Sequence, residues 1–148
     1  MIIPDVNVLV YAYRREAQHH ERYAAWLSET AGGDEDLGLL EPVLLGFVRV
    51  VTNRRVFADP APTIDALALV EALFAAPPAR PLFGTAASWS RFRAFAAEDP
   101  GLRGNLVPDA HVAAVAHSHG ARVATADRGF GRFPGISWFD PVDRAALA

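Results

Sequence analysis

An α/β domain with a mostly parallel central sheet flanked by helices is the fold class this sequence predicts. Three observations carry that expectation. Short apolar runs alternate along the chain with longer segments of helical periodicity, the pattern of successive strand–helix units. A length of 148 residues suits one compact domain over residues 1–148 and is short for two. Hydrophobic residues make up 51% and charged ones 21%, enough to build a core, while no apolar stretch approaches the ~20 residues that a membrane helix needs.

Taken in order, the first strand is expected at about residues 1–5, followed by a helix over 16–29 that turns Tyr23, Trp26 and Leu27 inward. AGGDEDLG reads as a loop and LGLL as a short strand. Glu41-Pro42 then opens a helix through EPVLLGFVRVVTN, since proline favours the first turn. FADPAP breaks the chain. TIDALALVEALFAA is a helix apolar over so much of its surface that it is either fully buried or part of a subunit contact. PLF reads as a strand, TAASWSRFRAFAAE as an amphipathic helix and DPGLRGN as a loop. VPDAHVAAVA lies in a buried helix with Pro108 at its first position, stopped by Gly120. ARVAT and ISWF complete the strands, and RAALA is a tail expected to fray. Trp26, Phe47, Trp89, Phe92 and Phe95 fall at helical spacings and are core candidates first.

Composition excludes several chemistries. Every one of the 14 basic residues is Arg, so a P-loop lysine, a Schiff base and a lysine-dependent phosphoaspartate switch are ruled out. Without cysteine there are no disulfides and no thiolate metal ligands, which suits the cytoplasm. MIIPDVN has neither a basic leader nor a small-residue cleavage site, so no signal peptide is expected. A net charge of -3 does not advertise nucleic-acid binding, but acids concentrated in a metal site would mask a positive rim. Arg14, Arg15, Arg49, Arg54, Arg55, Arg128 and Arg132 are candidates for that rim. His117 and His119 are two apart on a helix and lack further ligands, so zinc is not expected there. His111 is expected to serve packing, and His19-His20 to be exposed.

The acids carry the functional signal. Asp5 follows MIIP, Glu41 follows LGLL and Asp127 follows RVATA, each just beyond the carboxyl end of an expected strand. In a parallel sheet those ends share one edge, outside which ligands bind. Asp109 opens the helix that leads into ARVAT and is able to face the same crevice. Singly, each has a structural explanation in a turn or a helix amino terminus. Together, four carboxylates at one crevice would repel, and a hard divalent cation answers that repulsion. Mg²⁺ and Mn²⁺ prefer oxygen ligands and share them with substrate phosphates, which points to phosphodiester chemistry without a separate histidine base.

PDVNVLVYAY with its Asp-x-Asn, LLEPVLLGFVRVVTN, NLVPDAHVAAVAHSHGARVATAD and the closing FPGISWFDP occur in the order, and in a chain of the size, of PIN-domain ribonucleases. The chain resembles that family over nearly its whole length and, more narrowly, the VapC toxins of type II toxin–antitoxin systems. The resemblance implies a three-layer α/β/α PIN-like domain and an endoribonuclease dependent on one or two Mg²⁺ or Mn²⁺ ions. It implies further that the enzyme is inhibited by a small antitoxin and usually homodimeric. The family's metal-site acids match Asp5, Glu41, Asp109 and Asp127, and its polar supporting positions match Asn7 and Thr125. The chain departs from its relatives at Gly129, where they often carry another acid. On this reading Asp5, Glu41 and Asp109 hold the main ion and Asp127 completes that shell or helps a second. Cleavage of RNA would leave a 5′-phosphate and a 3′-hydroxyl. The antitoxin is expected in an apolar groove, and self-association through the helices at 63–76 and 85–98. The alternatives are a non-catalytic PIN-like module that binds RNA or protein, and a metal-dependent, structure-selective DNA nuclease.

Overall fold

The computed structural model describes residues 1–143, so the tail RAALA lies outside the described residues. The chain runs β1 (Ile2–Pro4), α1 (Val6–Tyr13), α2 (His20–Ala31), β2 (Leu37–Leu40), α3 (Glu41–Val51), α4 (Thr63–Ala75), β3 (Ala79–Leu82), α5 (Ala86–Glu98), α6 (Leu106–His119), β4 (Arg122–Ala124) and β5 (Ser137–Phe139). A 3₁₀ turn over Arg128–Arg132 separates the last two strands. The strands form one sheet in the order β3-β2-β1-β4-β5, and every pairing is parallel. The expected α/β class with a sheet flanked by helices is therefore what the chain adopts.

The order places the site. From β1 the chain steps outward to β2 and β3 through α1–α4, then returns across the sheet to β4 through α5 and α6. Right-handed crossovers made in opposite directions put these two helix groups on opposite faces. The packing agrees, since α1 contacts α2 and α3, α3 contacts α4, and α5 lies on α6. The direction reverses between β1 and β4, and the crevice outside the carboxyl ends of those strands is the switch point of the sheet. Residues 5 and 125 leave the strands there.

Both faces of the sheet are covered, which explains why its strands read as continuous apolar runs. Ile3, Leu37, Leu39 and Val123 are fully buried, with Leu9, Phe47, Val115 and Phe130 packed over them. A Cβ on Gly38 would lie 2.7 Å from Leu82 Cδ1 and 2.9 Å from Ile3 Cγ1, so β2 needs glycine at this point. In α6 the small side chains of Ala110, Ala113, Ala114 and Ala116 are completely buried. The helix closes on Gly120, whose φ of 59° is the left-handed conformation that glycine takes without strain.

Four expectations are corrected. The helix α1 was not expected, because VNVLVYAY is built of β-branched and aromatic residues that read as strand; the Asp5 cap and burial of Val8, Leu9 and Val10 override that propensity. The next helix begins at His20 rather than 16, after His19 adopts a left-handed φ of 57°. Pro108 is the third residue of α6, not the first, and Asp109 the fourth. Trp89 is 60% exposed and stacks on half-buried Phe92, whereas Trp26, Phe47 and Phe95 are buried as expected. The helix α4 is not enclosed by this chain: it buries Ala66 and Leu73 but leaves Ile64, Leu67 and Phe74 exposed. His111 sits against the Trp89 ring, and burial holds its imidazole below the usual range, in keeping with packing. Among the described residues no helix is long and apolar enough to cross a membrane.

Candidate active site at the switch point

Asp5 ends β1 and caps α1, which places its carboxylate at the edge of the sheet with only 4% exposure. Its Oδ1 accepts from the amide of Val6, the first residue of the helix, at 2.7 Å and so satisfies one of the free amides at the helix start. Its Oδ2 accepts from Asn7 Nδ2 at 2.7 Å and from the Thr125 hydroxyl at 2.9 Å. Those partners are joined in turn. Asn7 Nδ2 also donates to Thr125 Oγ1 at 3.1 Å, while Asn7 Oδ1 accepts from the Ala126 amide at 3.0 Å. The Asp127 amide donates to Thr125 Oγ1 at 3.0 Å. Thr125, fully buried, thus ties the end of β1 to the end of β4.

Asp127 caps the 3₁₀ turn by accepting from the Gly129 amide at 2.7 Å. A Cβ on residue 129 would approach that carboxylate to 2.8 Å, so glycine here lets the Asp127 side chain settle over the turn. Asp109 projects from the first turn of α6 toward the same space. Asp5, Asn7, Asp109 and Asp127 all line one crevice of about 590 Å³, together with Arg49 and a set of apolar side chains.

The electrostatics follow from this crowding. Burial raises the Asp109 carboxyl to about 6, the charges of Asp5 and Asp127 push it in the same direction, and Arg132 opposes them. Burial also raises Asp5, partly offset by its hydrogen bonds from Thr125 and Val6, with Asp127 adding to the rise. These acids are therefore within electrostatic reach of one another. Among the described residues no three His, Asp or Glu side chains stand close enough to grip a cation as placed. Glu41 does not itself line the crevice: it is exposed at the first residue of α3, next to Pro42 and Val43, which do.

The candidate rim arginines scatter. Arg49 lines the crevice and Arg132 acts on Asp109. Arg14 is largely buried: it pairs with Glu16, donates to the Asp59 carbonyl at 2.8 Å and lies over the Phe57 ring with its guanidinium 4.2 Å from the ring centre. Arg15 borders a separate hollow with His19 and His20, Arg54 and Arg55 stand exposed after α3, and Arg128 reaches Asp143 at 3.7 Å. Sequence reasoning missed the apolar wall of the crevice, which includes Tyr11, Val56 and Phe57.

A parallel α/β domain that collects oxygen donors at its switch point defines a class of protein in which the sheet edge is the place of chemistry. The chain belongs to the PIN domain family, whose profile matches residues 2–136. It is 47% identical over 143 residues to Ribonuclease VapC43 of Mycobacterium tuberculosis, covering 97% of each chain. Ribonuclease VapC33 of the same species is 36% identical over 143 residues, covering 96% of this chain and 99% of the relative. Among solved structures, FitAcB from Neisseria gonorrhoeae superposes with a TM-score of 0.62 at 26% identity, covering 96% of this chain and 99% of the other. VapBC2 from Rickettsia felis, bound to a DNA fragment from its promoter, superposes with a TM-score of 0.69 at 19% identity, covering 95% and 98% of the two chains, a likeness of fold.

Proposed function

We propose that this protein is a divalent-metal-dependent endoribonuclease, the toxin of a toxin–antitoxin pair, acting as one cytoplasmic domain over residues 1–148 with Asp5, Glu41, Asp109 and Asp127 as its metal-site acids. The observation that carries the reading is the gathering of Asp5, Asp109 and Asp127 around one crevice, where burial first and then the charges of the other two raise Asp109 to about 6. The relatives' names supply the substrate class.

The donor set fits Mg²⁺ or Mn²⁺ in kind, being carboxylate and amide oxygen without sulfur or imidazole. A bound ion would polarise the phosphodiester and favour attack by water. The chain's own residues do the rest. Thr125 and Asn7 hold the buried Asp5 carboxylate in one orientation, so the other acids would close on the ion around a fixed Asp5. Gly129 holds Asp127 by its amide. Glu41, exposed on α3, would meet the ion through water. Arg49, which lines the crevice, and Arg132, whose charge acts on Asp109, would receive phosphates flanking the cut.

End-group analysis of cut RNA tests the chemistry. A 5′-phosphate and a 3′-hydroxyl are expected, with DNA of equal length and sequence left intact; a 2′,3′-cyclic phosphate would sink attack by water. The partners proposed with this activity are a small antitoxin protein and a second copy of the chain. The exposed apolar side chains of α4 and Trp89 of α5 favour the latter. Following mass while the protein is diluted checks it: a dimer falling to monomer is expected, and a mass fixed at one chain throughout rules it out.

A further inference from the structure

Two kinds of side chain line the crevice: the acids Asp5, Asp109 and Asp127 with Asn7, and an apolar and aromatic set that includes Tyr11, Val56 and Phe57, with Arg49 among them. Phosphate chemistry at the acids does not account for the aromatic lining. Val56, next to Phe57 in the chain, lines the same crevice and is 53% exposed.

Both aromatic rings of that lining are held by other side chains. The guanidinium of Arg14 covers Phe57 at 4.2 Å from the ring centre and is itself fixed by Glu16 and by the Asp59 carbonyl. Tyr11 is braced by Tyr23 at 5.2 Å between ring centres, and its carbonyl oxygen is bonded to His20 Nδ1 at 2.9 Å. Aromatic rings held in place, lining one crevice with an arginine and a phosphate-handling group of acids, supply a partner for each part of a nucleotide. The base would meet the ring, the flanking phosphate would meet Arg49, and the cut phosphate would lie at the acids. Single-stranded RNA presents its bases unstacked and free to take up such a surface, whereas a duplex does not.

We propose that Phe57, which lines the crevice along with Tyr11, is a stacking platform for a base next to the cut phosphate of single-stranded RNA, and that Arg14, over one face of the ring, is the positioning residue that leaves the other face to the base. This rests on the ribonuclease reading above. It assigns to Arg14 a different task from the phosphate contact expected of it as a rim residue.

The test uses the full chain and an RNA oligonucleotide carrying a cut site mapped from the chain's own digest, in intact form and with the base removed at each nucleotide flanking the cut. Phe57→Ala is expected to raise KM about 10-fold, the size of one lost base–aromatic contact. On RNA lacking the stacked base the wild type should already show that rise, and Phe57→Ala should add little. Phe57→Tyr should behave as wild type. Phe57→Leu keeps an apolar side chain without the aromatic face and should follow Phe57→Ala. Arg14→Ala should raise KM by a smaller factor and leave kcat within about 2-fold. Binding of labelled oligonucleotides to Asp109→Asn protein with and without the Phe57 change reads the same contact without turnover. Equal RNA affinity and KM for wild type, Phe57→Ala and Phe57→Leu would overturn the platform while leaving the ribonuclease standing, and would hand the wall to a protein partner. A Phe57→Ala loss of the same size on every base-deleted RNA would also overturn it. A wild-type chain that neither binds nor cuts RNA would overturn both.

Discussion

Asp5→Ala is expected to abolish RNA cleavage and to weaken the fold together, the largest combined effect of any single change in the crevice. The side chain is 4% exposed and accepts from three donors, Val6 N, Asn7 Nδ2 and Thr125 Oγ1. Truncation removes the cap of α1, worth about 1 kcal/mol, and leaves buried donors unsatisfied at about 1–3 kcal/mol. A net loss of about 3 kcal/mol is expected in denaturant unfolding, tempered by water entering the space. The loss of rate should be on the order of 100-fold or more, since an acid that holds the ion matters more than the outer supports whose removal costs about 10–100-fold. Asp5→Asn separates the two effects. Its amide presents hydrogens toward at least one donor, so it should recover only part of the stability and none of the activity. A variant that unfolds at the wild-type midpoint would contradict the hydrogen-bond account, and one that cuts RNA at the wild-type rate would contradict the role in the site.

Asp109→Asn is expected to do the opposite to stability while also removing activity by about 100-fold or more. The Asp109 carboxyl is raised to about 6 by burial and by the charges of Asp5 and Asp127. Its place in the first turn of α6 favours the anion, but the two neighbouring carboxylates and burial outweigh the helix dipole. A folded-state value above the unfolded one means that the folded protein binds more protons between about 4 and 6. Stability without metal therefore falls as pH rises through that window, and the full penalty is present at neutral pH. The shift from 3.8 to about 6 corresponds to at most about 3 kcal/mol at 1.36 kcal/mol per unit, and partial exposure of the side chain reduces it to about 1–2 kcal/mol. Without metal at pH 7.5, Asp109→Asn should be more stable than wild type by that amount, and the two should converge near pH 4. Mn²⁺ should reverse the order by stabilising wild type more than the variant. Thermal unfolding across pH, with and without Mn²⁺, reads all of this; a wild type that is the more stable protein at pH 7.5 without metal would refute the crowding.

The legible part of the molecule was the part fixed by local pattern. Both faces of the sheet are buried, so LGLL and ARVAT appear as apolar runs, and Gly120 marks the end of α6 because its φ of 59° suits glycine. Three acids were placed from sequence for the same reason, since each follows a strand or opens a helix. Other features depend on contacts between distant segments. The α1 segment is helical against its own β propensity because tertiary burial of Val8 and Leu9 decides it. A capping aspartate before the run was the signal that could have found it. Trp89 matches a helical core spacing yet lies outward, since periodicity gives a face and not what covers that face. Glu41 follows its strand as expected, but the first turn of α3 leaves it exposed and turns Pro42 and Val43 to the crevice. Arg14 and Phe57 are 43 residues apart and meet only when the segment after α3 folds back on α1. No spacing rule in the sequence announces that pair.

The most direct measurement of the central claim is cleavage of a labelled, mixed RNA pool by the purified chain with Mg²⁺ or Mn²⁺, beside a chelator control and the Asp109→Asn protein. Cuts that require the metal, vanish with chelator and fall at least about 100-fold in Asp109→Asn are the predicted result. Cleavage that persists in chelator, or that Asp109→Asn performs at the wild-type rate, would contradict the assignment of the switch-point acids as the metal-dependent active site.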